Sequence, residues 1–129
     1  MKLAFAFLLL AAASAASAQP LTVHTGESWV FTVKNGQPAG AHQVELSAKP
    51  GKGQIMVSVK PMMGTSMFMT NNSAVAYTFR AELIRDGKAT ARRPCTLPAK
   101  ARPIFEQWQE KADAVRIGHF EAAGTEGRC

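Results

Sequence analysis

From residue 22 to residue 84 the chain alternates short apolar and polar steps between turn residues, and a period of two belongs to strands. Trp29, Phe31 and Val33 fall on one face of the first clear run, with Ser28, Val30 and Thr32 on the other. Asn35-Gly36, then Pro38 and Gly40, supply residues that tolerate tight turns, and Val44, Leu46 and Ala48 read as a second strand that ends at residues 50–53. Ile55, Val57 and Val59 form a third, with Met56 and Ser58 pointing the other way until Pro61. Residues 62–69 are a fourth, interrupted by Gly64. After the turn at residues 70–73 comes the clearest pattern, residues 75–84, where Val75, Tyr77, Phe79, Ala81 and Leu83 share a face opposite Thr78, Arg80 and Glu82. Asp86-Gly87 reads as a hairpin turn into a strand over residues 88–93. Pro98 and Pro103 break the pattern. Residues 105–114 read as a short helix with Phe105, Trp108 and Ala112 inward, and residues 115–120 as a last strand.

About seven strands at this spacing, with no long helix and no internal repeat, predict an all-β fold: a small immunoglobulin-like antiparallel β-sandwich, with a small antiparallel β-barrel as the alternative. A length of 129 residues suits a single domain. The first 18 residues stand apart from it. Lys2, an apolar run over residues 3–13 and the small residues Ala16, Ser17 and Ala18 have the form of a cleaved signal peptide. The run is too short for a membrane span, for which about 20 apolar residues are needed. The expected product is a domain of residues 19–129, exported to the periplasm or the extracellular space, with no transmembrane segment.

Export changes the reading of Cys95 and Cys129, which in an oxidising compartment are expected to form a disulfide closing the C-terminal part of the chain. Nothing resembles Cys-x-x-Cys, so a redox or metal role for the pair has no support. Loss of residues 1–18 takes Lys2 from the 15 basic residues and none of the 9 acidic ones, leaving a mature net charge of +5. Five bases, Lys88, Arg92, Arg93, Lys100 and Arg102, lie together without an intervening acid and are candidates for contact with an anionic partner. Glu106, Glu110 and Asp113 follow and could neutralise them. Export, and the absence of aromatics among these bases, argue against nucleic acid.

Residues 62–69 hold Met62, Met63, Met67 and Met69, four of the six methionines. Met67 and Met69 are two apart and would project from one face of a strand, where soft thioether sulfur could hold Cu(I), with Met63 as a third ligand. The spacing resembles the methionine-rich metal motifs of exported copper carriers, and that resemblance implies Cu(I) as a cofactor and a copper-handling function. The alternative is that the methionines fill space between two sheets. Catalytic motifs are missing: there is no Gly-x-Ser-x-Gly turn, no His-Glu-x-x-His and no phosphate-binding glycine loop, and His24, His42 and His119 are isolated along the chain. The reading is a non-catalytic, exported cell-envelope binding or interaction module, its partner an unknown protein or envelope component. A Cu(I)-binding protein is the first alternative and an envelope hydrolase the second.

Overall fold

The computed structural model describes residues 19–100 and 102–124. The proposed signal peptide and Cys129, hence the proposed Cys95–Cys129 bridge, lie outside the described residues. The described residues form nine strands: β1 (Leu21–His24), β2 (Ser28–Lys34), β3 (Gln37–Val44), β4 (Ile55–Lys60), β5 (Thr65–Asn71), β6 (Ala76–Arg85), β7 (Lys88–Arg92), β8 (Pro103–Trp108) and β9 (Ala114–Ala123). They make two antiparallel sheets, in the order β1-β9-β6-β7 and β3-β2-β4-β5-β8. The sheets do not close on each other, so the arrangement is that of a β-sandwich and the barrel alternative is set aside. Among the described residues there is no helix, and thus none long and apolar enough to cross a membrane.

The inner faces follow the alternation of the sequence. Phe31, Ile55, Val57, Val59, Met67 and Met69 from the five-stranded sheet meet Val23, Phe79, Ala81, Leu83, Val115, Ile117 and Phe120 from the four-stranded one. Each large side chain removed from water in this way stabilises the fold by about 1.5–3 kcal/mol. Phe120 is the centre of the aromatic packing: it stacks on Phe79 at 5.2 Å, meets Tyr77 edge-on at 5.8 Å and crosses to Phe31 of the other sheet at 5.6 Å. A bulge in β9 allows this, since Thr78 faces Glu121 and Arg80 faces Gly118, leaving His119 and Phe120 opposite Phe79 alone. His119 takes the positive φ of 53° that the bulge requires, and the Phe120 amide donates to Gly36 O at 2.7 Å.

Three departures from the sequence reading have physical causes. Asn35 and Gly36 both have positive φ, so the turn is a two-residue hairpin and pairing resumes at once, Lys34 opposite Gln37. The second strand therefore spans Gln37–Val44, not the region around Leu46, which lies 58% exposed in the following loop. Val75 precedes β6 and is exposed, and its carbonyl accepts from Asn71 Nδ2. The expected helix over residues 105–114 is instead β8 and a loop. Its residues pair with β5, Ile104 opposite Met69 and Trp108 opposite Thr65, so that Ile104 and Trp108 pack on the core. Phe105 lands on the outer face beside Phe68, their rings 4.8 Å apart.

The β5–β8 junction depends on Gly64. Its φ is +98°, and a Cβ there would stand 2.2 Å from Trp108 O and 2.6 Å from Gln109 O. Beside it Thr65, fully buried, donates through its hydroxyl to Glu110 O and accepts from Ala112 N, both at 2.8 Å. Gly64→Ala is expected to cost more than about 2 kcal/mol in urea unfolding, because backbone strain adds to a clash with backbone atoms. Gly87→Ala serves as the control: its φ is +79° but no atom lies within 4 Å, so it should lose only about 1 kcal/mol.

Candidate functional site

Strand β4 is flanked by β2 and β5, and its residues Ile55 to Val59 are all buried, on both faces of the sheet. Val57 and Val59 belong to the core, whereas Met56 and Ser58 point outward. On that outer face Met56 sits opposite Val30 and Thr70, and Ser58 opposite Ser28 and Phe68. The two serine hydroxyls are hydrogen bonded at 2.7 Å. What shelters this face is the loop of residues 45–54 between β3 and β4, held by Asn72. Its amide Nδ2 donates to Pro50 O at 3.0 Å, its N–H donates to Gln54 O at 2.8 Å, and its carbonyl accepts from Gly53 N at 2.6 Å.

The loop does not lie flat on the sheet. Between them runs a cavity of about 520 Å³, walled by Leu46, Ala48, Lys49 and Pro50 and floored by Met56, Ser58, Lys60, Phe68 and Thr70, with Asn72 at the anchored side. Its size falls within the range of small-molecule sites, about 300–1,000 Å³. Lys60 Nζ stands 5.3 Å from the centroid of the Phe68 ring, a cation–π contact. Phe105, 50% exposed, extends the apolar floor from Phe68 to the β8 edge. The lining carries two ammonium groups and no carboxylate.

The methionines named from the sequence separate in space. Met67 and Met69 share a face of β5, as the alternation predicts, and that face is the core, where they are 0% and 1% exposed. Met63 is in the β4–β5 turn, 77% exposed, with a φ of 46°. His24, His42 and His119 are exposed on three different strands. Among the described residues there is no group of three or more His, Cys, Asp or Glu placed to hold a metal ion.

The basic segment is likewise divided. Lys88 begins β7 beside the Asp86-Gly87 turn, and Arg92 ends β7 in an ion pair with Glu110. Arg93 is exposed. Lys100 and Arg102 lie at the opposite end of the sandwich, lining a hollow with Val75, Pro98 and Ala123. Of the acids expected to neutralise the run, Glu110 pairs with Arg92; among the described residues Glu106 accepts from Cys95 N and Asp113 from Asp86 N. The five bases therefore do not form one patch.

Sequence reasoning missed Leu46, Lys49, Met56, Lys60 and Phe68 as a group. The outward register of Met56, Lys60 and Phe68 was readable in β4 and β5, but apolar residues facing outward from an inner strand were the only sign that something covers them.

The turn between β1 and β2 holds a carboxylate with several hydrogen-bond donors. Glu27 Oε1 accepts from Trp29 Nε1 and from His24 N, each at 3.0 Å, with His24 Nδ1 at 3.5 Å. The Trp29 indole N–H is the main reason its carboxyl is held below the ordinary carboxylate range; partial burial opposes this, and the His24 amide and ring reinforce it. A lowered folded pKa contributes stability that is complete above the unfolded value and is lost as pH falls through the folded one. Glu27→Gln should accordingly flatten the acid side of the stability profile, with a smaller drop in melting temperature between neutral and strongly acid pH than in the native protein.

Comparison with known protein families, with curated proteins and with solved structures finds no match. The class defined by fold and site is a two-sheet β-sandwich bearing a cationic-rimmed apolar groove on one outer face.

Burial also orders the methionines by reactivity. Under brief peroxide treatment of the folded protein, sulfoxide should form at Met62 and Met63, 42% and 77% exposed, while Met67 and Met69 stay reduced in a peptide map.

Proposed function

We propose that this protein is a non-catalytic binding module of the cell envelope, exported and folded as an immunoglobulin-like sandwich, that takes its ligand on the outer face of the five-stranded sheet. The observation that carries this reading is the groove under the loop of residues 45–54. It is a ready-made concavity with an apolar floor, which a domain with an adequate core does not need for stability. The hydroxyls of Ser28, Ser58, Ser66 and Ser73 support a non-catalytic role, since they bond to one another or to backbone carbonyls and none meets a histidine. Packing is the role we assign to Met67 and Met69 in preference to Cu(I): their sulfurs are enclosed, and Met63 is in a different environment.

The test uses anilinonaphthalene sulfonate, an anionic aromatic dye that brightens in apolar sites, on the folded protein at neutral pH. Saturable binding is expected in the native protein. It should be lost in Leu46→Asp, which places a carboxylate on the cavity wall, and kept in Ala89→Asp on the exposed face of β7, with circular dichroism confirming that both variants fold. Absence of dye binding, or equal loss in both variants, would remove the groove as the binding site.

A further inference from the structure

The chemistry of the groove narrows what it can hold. Its floor strands β4 and β5 are both internal to the sheet, so their backbone hydrogen-bonding groups are spent on neighbouring strands and no edge is offered to an extended peptide. Among the polar side chains of the lining, Ser58 is committed to Ser28 and Asn72 to Pro50. What remains to meet a ligand is the Thr70 hydroxyl and the ammonium groups of Lys49 and Lys60, neither of which has an ion-pair partner among the described residues. A sugar or nucleotide would leave most of its donors and acceptors unsatisfied there, at a cost for each. A ligand without such groups along its length loses nothing.

The shape is consistent with a chain. Met56 and Lys60 are the outward-facing ends of β4, four residues apart, so the floor extends about 13 Å along the strand. Met56 and Phe68 are adaptable, flat apolar surfaces. The ammonium of Lys60 turns back to 5.3 Å from the centroid of the Phe68 ring, and Lys49 adds a second positive charge from the loop wall.

We propose that the groove binds a free medium-chain fatty acid, its acyl chain lying along Met56 and Phe68 beneath Leu46 and its carboxylate drawn by the positive charge of Lys49 and Lys60. This rests on the assignment of the groove as the binding face, and goes beyond it in naming the ligand class. The apolar contacts supply most of the affinity and the lysines select the sign of the head group.

Calorimetric titration of the purified protein with dodecanoate, below the concentration at which it forms micelles, tests this beside dodecyltrimethylammonium and dodecanol. One dodecanoate should bind per chain, about tenfold more tightly than either of the others, the advantage shrinking at high salt. The double variant Lys49→Glu, Lys60→Glu should lose about tenfold for dodecanoate and gain for the cationic probe. Conservative Lys49→Arg, Lys60→Arg should keep dodecanoate binding, which separates charge from a folding defect. If the dye binds in a Leu46-dependent way but dodecanoate does not, the groove stands and the fatty acid falls. If all three probes bind equally, the assignment to the lysines is overturned. Sedimentation with phosphatidylglycerol vesicles but no uptake of free dodecanoate would replace the fatty acid with an anionic membrane surface.

Discussion

The structure turns on a strand that has no wet face. β4 lies at the middle of the larger sheet, and all five residues from Ile55 to Val59 are buried, so its outward side chains need a cover as much as its inward ones need a core. The opposite sheet covers the inner face. The outer face has only the loop of residues 45–54, pinned at one end by the three hydrogen bonds of Asn72 and left standing off the sheet at the other. A loop tied at one end makes a partial roof, and the space under it is the groove. The buried Ser28–Ser58 hydrogen bond follows from the same constraint, because two hydroxyls enclosed on neighbouring strands must satisfy each other.

The sheets themselves are joined by devices that place side chains instead of adding area. The β9 bulge turns Phe120 inward between Phe31 and Phe79, and His119 accepts a positive φ to allow it. At the other junction Gly64 lets β5 come against the carbonyls of Trp108 and Gln109, and Thr65 ties the strand to the loop before β9. These two places fix how β5 and β9 meet their neighbours, and β5 carries part of the groove floor through Phe68 and Thr70.

Legibility in the sequence followed the strength of the local signal. Strict alternation in β2, β4 and β6 made the core faces readable residue by residue, and the Asp86-Gly87 hairpin followed from turn chemistry, with φ of 51° and 79°. β8 was hidden. Pro98 before it and Pro103 at its start, with Glu, Gln and Lys within and after it, have the composition of a short surface helix, and only pairing with β5, distant in sequence, makes the segment a strand. Val44, Leu46 and Ala48 failed in the opposite sense: they alternate as a strand would, but the tight Asn35-Gly36 turn uses up the pairing partners of β2 before Leu46 is reached. Leu46 is then free to serve the loop. The methionines were legible as a shared face and illegible as a site, since periodicity says that Met67 and Met69 point the same way and not whether that way is the core.

The contrast between the two outer faces gives the groove its meaning. On the four-stranded sheet the outward positions of β6 and β9 include Arg80, Glu82 and Arg116, with Arg116 paired to Glu82 at 2.7 Å, an arrangement that water and its own opposite charges already satisfy. On the five-stranded sheet the corresponding positions are Val30, Met56, Phe68 and Phe105, and the charges that line the groove over Met56 and Phe68, Lys49 and Lys60, are of one sign. Exposed ion pairs contribute little and ask for no partner. An apolar floor beside ammonium groups that have no ion-pair partner among the described residues is the reverse: its apolar area gains from any chain that displaces water, and its charges gain from an anion. Both demands are met by one amphiphile, and neither by the protein alone.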